Sequence, residues 1–385
     1  MNDIKNGFNK YILLLCFFFI FNCSYLMAKN IELPVVLPSK FASHDVKFKV
    51  YLPDGYKDDS DERYPVFYTT AGGSRINVLK EQLAWLSHVG FGALPKVIIV
   101  TVPYIEIETD MEPKYISASG INSDLTIEVL NQEVMPYINK HFKTHPFNIL
   151  EGFSSSGNFP LYVLANKPEL FNAYISVSPA LVLDKSGLLT KFDNRLASPD
   201  YKNKSLYLSL GSFTSNAPLF EGLEKKLNQY AHNDLTWHTE DFRTDNYMTG
   251  PMVGVSKAVQ KLFSDRSPAD MTQFKASGVK SVEVYYDNLK AKYGYELSSI
   301  NTLMDLSDMQ LKDSQYTDAI KTLKLVVNQS PENAYYLTRL AKAQLAAKKN
   351  RAAKQTYNKA LILAKAKGDD ESIQFIQNKL KVLKL

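Results

Sequence analysis

Phe147-Asn-Ile-Leu-Glu151-Gly152-Phe153-Ser154-Ser155-Ser156-Gly157, followed by Asn158 to Phe171, is the stretch on which the reading of this chain turns. A short apolar run, Phe147 to Leu150, meets a cluster of small residues, and a helix-like segment follows at once. Strand, tight turn and helix in that order are the context a nucleophile elbow needs. The elbow holds one serine on a strained turn, so that its oxygen stands clear of the sheet. The helix N-terminus and the next backbone N–H then face any oxyanion formed there. Small residues are required two positions before and two after that serine, because strand and helix backbones nearly touch. Ser154 alone satisfies this, with Gly152 on one side and Ser156 on the other. The usual G-x-S-x-G has become G-x-S-x-S.

Outward from the elbow, apolar runs alternate with helical patterns. Ile31 to Leu37, Val46 to Leu52, Tyr64 to Thr70 and Lys96 to Val102 read as strands before it, and Ala173 to Ser178, Ser205 to Leu210 and Leu235 to Phe242 after it. Helices are expected at Val78 to Val89, Ser123 to His141, Leu219 to Tyr230 and Pro251 to Phe263. This alternation predicts an α/β fold with a mostly parallel sheet and helices on both faces.

The 385 residues suffice for one large domain and a small one, and 45% hydrophobic content is enough for a full core. A net charge of +5, scattered along the chain, gives no basic stripe with interleaved aromatics, so no nucleic-acid partner is expected. Lys5 and Lys10 precede an uncharged apolar run, Tyr11 to Phe21, and a small residue, Ala28, stands before Lys29. Those three parts read as a secretory signal peptide over residues 1–28. The protein is then expected in the periplasm or outside the cell, with no stable membrane span once the signal is removed. Cys16 and Cys23 both lie in the signal, so the mature chain has no thiol nucleophile, no disulfide and no cysteine metal ligand. No histidine–carboxylate spacing suits a metal, and neither metal nor cofactor is expected. Glu106, Glu108, Asp110 and Glu112 read as a solvated acidic loop.

After Phe263 the character changes. Residues 266–278 read as a polar linker and 279–385 as a helical tail rich in Lys, Ala and Leu. Leu303, Leu306, Ala319 and Leu323 recur, shifted by 34, as Leu337, Leu340, Ala353 and Tyr357. That period, with small alanines at helix crossings, resembles tetratricopeptide repeats, which suggests a protein partner.

Within an expected domain of residues 29–265, about residues 31–265 resemble the putative-esterase family of α/β-hydrolases, which includes enterochelin esterases and S-formylglutathione hydrolases. The carrying residues are Tyr51-Leu-Pro-Asp-Gly-Tyr56, Tyr64-Pro-Val-Phe-Tyr68, Gly152-Phe-Ser154 and Pro168-Glu-Leu-Phe171 through Val177-Ser-Pro179. The resemblance implies hydrolysis of acyl esters with a serine, a histidine and usually an acid, acting on a small acyl-ester substrate. It puts the nucleophile on Ser154 and the oxyanion donors on the backbone N–H groups of Ser155 and of Gly72 in the Thr70 to Gly73 loop. Here that loop reads Ala71-Gly72-Gly73 where the family usually has Asp-Gly.

The larger departure lies after the last strand. Tyr247 occupies the place of the family's histidine in Arg243 to Pro251, and no histidine follows His238. Gly211 to Pro218, where an acid could orient the base, contains no carboxylate. Asp245 is a nearby carboxylate that could act as base if its pKa rose. His44, His88, His141, His145 and His232 lie where no base is expected, and His238 falls in mid-strand. A serine without a positioned base is a weak nucleophile, and general-base help is worth about a hundred- to ten-thousand-fold. Two functions are therefore expected in competition. One is an exported ester hydrolase, or an acyl transferase using the same serine. The other is a catalytically lapsed relative that binds a ligand or a protein.

Overall fold

Strands with no polar face to show form the centre of the fold. The computed structural model describes residues 31–383, apart from 91, 104–122, 185–186, 197–200 and 231–234. The expected signal peptide, the acidic stretch Glu106 to Glu112 and His232 lie outside the described residues. Two compact units meet in sequence at Leu262 and Phe263.

In the first unit eight strands form one sheet. They are β1 (Ile31–Leu37), β2 (Val46–Leu52), β3 (Tyr64–Thr69), β4 (Ile98–Thr101), β5 (Thr144–Phe153), β6 (Ala173–Val177), β7 (Lys204–Leu210) and β8 (Leu235–Asp241). Their spatial order is β1-β2-β4-β3-β5-β6-β7-β8. The β1–β2 and β2–β4 pairs are antiparallel, and every other pairing is parallel. The expected mostly parallel sheet is therefore present, with an antiparallel pair at one edge. Every residue of β3 and β6 is buried, as strands covered on both faces require. Edge strand β1 leaves Ile31 and Val36 exposed.

Alternate residues of each strand face opposite layers. Tyr68, Leu150, Tyr174 and Leu208 join one core with Ile138, Leu161, Phe192 and Leu223. Those four come from α3 (Met135–His141), α4 (Asn158–Asn166), α5 (Leu188–Arg195) and α6 (Ala217–Tyr230). The opposite face carries α1 (Gly73–Ser87) and α7 (Gly250–Leu262). These two are tied by Gln82, whose Nε2 donates to Met252 O at 2.6 Å and to Ser256 Oγ at 2.8 Å. Gly254 lets α7 lie on β6, since a Cβ there would come within 2.8 Å of Val177 Cγ1.

Two helices differ from their expected form. The helix α1 starts at Gly73 rather than Val78, because the polar turn Gly73-Ser-Arg-Ile-Asn carries no apolar stripe to announce it. The helix expected over Ser123 to His141 is α2 (Ser123–Val129) and α3 joined by a π-turn, Leu130–Val134, in which Met135 N donates to Leu130 O. Pro136, with no N–H to give, breaks the ordinary ladder at that point.

The second unit is all helical: α8 (Val279–Tyr293), α9 (Ile300–Lys312), α10 (Tyr316–Gln329), α11 (Ala334–Ala346), α12 (Asn350–Lys367) and α13 (Asp370–Val382). Residues 266–278, read as a linker, contain a 3-10 turn from Met271 to Phe274. Phe274 is buried in the core formed with Leu303, Leu306 and Leu323. The period of 34 recurs in detail. Ser314 and Lys348, the turn residues of successive helix pairs, both sit at φ 58. Thr322 Oγ1 donates to Gln310 Oε1 at 2.7 Å, and Thr356 Oγ1 donates to Gln344 Oε1 at 2.9 Å.

Candidate active site

The strand β5 ends in the elbow. Ser154 has φ 62, the left-handed region that an L residue enters at a cost of about 1–3 kcal/mol. A 3-10 turn, Ser154–Gly157, then leads into α4. Gly152 has no room for a side chain: a Cβ would overlap Ser156 O and stand 2.9 Å from its carbonyl carbon. Ser156, where the motif usually has glycine, is accommodated by hydrogen bonds. Its Oγ donates to Phe153 O at 2.9 Å and accepts from Thr70 Oγ1 at 2.8 Å. Ala180 N donates to Ser154 O at 3.1 Å, fixing the turn to the end of β6. Ser154 itself is half-buried, and its Oγ has no hydrogen-bond partner among the described residues.

The loop after β3 stands beside this elbow, because β3 and β5 are neighbours in the sheet. Thr70 N donates to Glu151 O at 3.0 Å, and Ala71 N donates to Thr69 Oγ1 at 2.9 Å. Both N–H groups are thus spent on holding the loop. Gly72, extended at φ −133 and preceding the first residue of α1, is the next in line, and its N–H is unpaired among the described residues.

Sequence reasoning missed the network underneath. Glu151 is fully buried and pairs with Arg75 from the first turn of α1. Its other oxygen accepts from Thr69 Oγ1 at 2.6 Å. The Arg75 guanidinium also lies over the Phe153 ring, 5.4 Å from its centroid. One signal was present: a glutamate directly after an apolar strand run needs a partner if the strand is buried.

Tyr247, at the expected histidine position, is placed by ring packing. Its ring centroid is 5.0 Å from that of Phe153 and 4.5 Å from that of Phe213, edge-on to the latter. Phe213 comes from the loop after β7, where an acid orienting a histidine would stand. An aromatic cluster therefore spans the places where a base and its orienting acid would stand. Asp245 is exposed in the loop after β8, and its backbone N–H donates to Phe242 O at 3.0 Å.

The described histidines are elsewhere. His238 lies in β8, paired in register with Tyr207. Three strand spacings separate β8 from β5, roughly 14 Å. His145 opens β5, nine residues before Ser154 and roughly 30 Å along the strand. Burial, with the Arg63 charge second, holds its pKa below the usual imidazole value. His141 stacks on Tyr137 and His88 on Trp85, while His44 is exposed in the β1–β2 loop. Among the described residues no group of three or more His, Asp or Glu could hold a metal ion, and no helix is long and apolar enough to cross a membrane.

A cavity of about 160 Å3 opens next to the elbow, between α1, Phe153 and the start of α7. Arg75, Val78, Phe153, Met248 and Met252 line it.

The same architecture is found in solved structures. An uncharacterised protein from Capnocytophaga ochracea is 18% identical at TM-score 0.67, over 92% of this chain and 99% of its own. An IroE-like serine hydrolase from Shewanella oneidensis is 21% identical at TM-score 0.61, over 78% of this chain and 99% of its own. The BES protein from Bacillus cereus is 17% identical at TM-score 0.50, over 60% of this chain and 94% of its own. At these identities the likeness is one of fold, and none of the curated proteins matches the chain. The family model described as putative esterase matches residues 39–248, more than half of the chain and the whole span from the second strand to the Tyr247 loop, and the chain belongs to that esterase family.

Proposed function

We propose that the protein is an exported ester hydrolase in which Ser154 attacks the acyl carbonyl of a small ester. The observation that carries this is the left-handed Ser154 at the junction of β5 and the following turn, with Gly152 shaped to permit it. A left-handed serine between a strand and a helix is the geometry of a nucleophile elbow. As the Ser154 oxygen bonds to the carbonyl carbon it loses its proton, and the N–H groups of Ser155 and Gly72 are the donors for the resulting oxyanion. Collapse of that intermediate expels the alcohol, which takes up a proton. Water then attacks the acyl-serine, releasing the acid and restoring the hydroxyl. With an alcohol in place of water, the same serine would transfer the acyl group.

The proton relay is the weak part, with Tyr247 and Asp245 as its candidates. A phenol is a weaker general base than the imidazole it replaces, so slow turnover is expected. A specific observation favours a second reading. The cluster Phe153–Tyr247–Phe213 fills the relay's place with apolar surface, as suits a cleft that binds without reacting. In that case the helical unit, tetratricopeptide-like in its period, would hold a protein partner. The residues 1–28 fit export to the periplasm or beyond.

The test is labelling of the mature chain with a fluorophosphonate probe, with Ser154→Ala as control. Labelling that disappears in the variant supports an activated Ser154. No labelling at high probe concentration overturns the hydrolase reading and leaves the binding one.

A further inference from the structure

The cavity beside the elbow has a cation in its wall, and a cation in a pocket ordinarily suggests an anionic ligand. The surroundings of Arg75 argue the opposite. Its guanidinium is already paired with the fully buried Glu151 carboxylate, so the two together present no net charge to the cavity. Glu151 cannot turn away to release it, being held by Thr69 Oγ1 at 2.6 Å as well. An incoming carboxylate would face Glu151 through a low-dielectric wall, where like charges repel strongly. Arg75 Nε is buried without a hydrogen-bond partner among the described residues, and with its charge met by Glu151 the guanidinium offers the cavity a planar surface.

Most of the other wall is apolar, with Val78, Leu79, Phe153, Pro251 and the thioethers of Met248 and Met252, and only Ser74 and Gln82 add uncharged polar groups. Methionine sulfur and a guanidinium plane both favour contact with a flat ring. The volume, about 160 Å3, is similar to that of a cavity of about 150 Å3 that accepts benzene, but here Val78, Met248 and Met252 leave it open to solvent. Phe153 is both a wall of the cavity and the residue before Ser154, and successive Cα atoms are about 3.8 Å apart. The cavity wall therefore includes the residue that precedes the elbow serine.

We infer that the cavity receives an uncharged, ring-sized apolar group of the ester, and that Glu151 sets this preference by cancelling the charge of Arg75. As a statement about substrate it rests on the hydrolase reading; as a statement about binding it does not. Ser154→Ala protein should accordingly be titrated with benzamide and benzoate, which share a shape and differ in charge, by ligand-observed saturation-transfer NMR. Benzamide should bind about tenfold more tightly than benzoate. In Ser154→Ala/Glu151→Gln protein the guanidinium is unmasked, and benzoate should overtake benzamide. Val78→Trp, a change at a partly exposed helix position, should fill the cavity and abolish both signals in the Ser154→Ala background. Benzoate binding as tightly as benzamide to Ser154→Ala protein, or signals that survive Val78→Trp, would overturn the inference. Should Glu151→Gln fail to fold, the comparison of the two ligands and the filling variant still decide it. Failure of fluorophosphonate labelling in the unaltered chain would remove the hydrolase reading while leaving these binding results in force.

Discussion

Arg75 and Glu151 are joined across the space between α1 and β5, three residues before the elbow serine, with the carboxylate entirely shut away from solvent. The pair ties together everything an ester site needs to keep in register. Glu151 accepts from Thr69, whose Oγ1 in turn receives the N–H of Ala71 in the oxyanion loop. Arg75 also covers Phe153. Such a pair is expensive to desolvate, and it gains from partner bonds only when both charges are present.

Removing one partner should therefore be far worse than removing both. Arg75→Met leaves a bare buried carboxylate and should cost about 3–5 kcal/mol in urea unfolding of the full chain. Arg75→Met combined with Glu151→Leu should recover most of that loss, because an apolar replacement of a buried pair is close to neutral. Simple addition of the two single losses in the double variant would show that the charges do not depend on one another.

At the turn itself, two small residues carry unequal burdens. Gly152→Ala drives a Cβ into the Ser156 backbone, a rigid neighbour, and should cost at least about 3 kcal/mol or prevent folding. Ser156→Gly loses only the hydrogen bonds with Thr70 and Phe153 and should cost about 1 kcal/mol. Urea midpoints of the two variants provide the comparison. Similar midpoints would mean that the elbow relaxes more freely than its geometry implies.

Much of this architecture is legible in the chain because it depends on local pattern. The largely apolar runs of β3 and β6 mark strands covered on both faces, and Gly152 and Ser154 mark the elbow by spacing alone. The period of 34 is written in Leu303 and Leu337, and it returns in the structure as equivalent Gln310–Thr322 and Gln344–Thr356 bonds. What could not be read is long-range. Arg75 and Glu151 are 76 positions apart, and no local pattern couples them. The start of α1 was hidden because its first turn is polar and Gly73 enters it at φ +55. Tyr247 was visible as a replacement for histidine. That Phe213 closes on it from another loop depends on the order of β5, β6, β7 and β8 in the sheet.

Acid should weaken the first unit through His145. Burial, and then the Arg63 charge, depress its folded pKa, so the unfolded chain binds the proton more readily. The contribution is absent above the unfolded value of about 6.5 and grows as pH falls through it toward the depressed folded value. Urea midpoints should accordingly drop on acidification across that window, and His145→Gln should flatten the drop. A variant with the same pH slope as the parent would show that the imidazole is not the group responsible.

The aromatic cluster over the elbow allows the missing relay to be put back. Tyr247 sits against Phe153 and Phe213, so Tyr247→His would place an imidazole one ring away from the elbow, and Phe213→Asp would supply an acid beside it. If Ser154 lacks only a base, Tyr247→His should raise hydrolysis of a p-nitrophenyl ester about a hundredfold, the lower end of what general-base help supplies. The gain should fade below about pH 6.5 as the imidazole protonates, and adding Phe213→Asp should raise the plateau rate by orienting the ring while moving the fade to higher pH, because a carboxylate favours the charged imidazole. Ser154→Ala in the same background must abolish the gain, since a free histidine hydrolyses activated esters on its own. No rise in the Ser154-dependent rate would mean that the elbow, though strained in the right sense, does not hold its oxygen where an imidazole at position 247 can reach it.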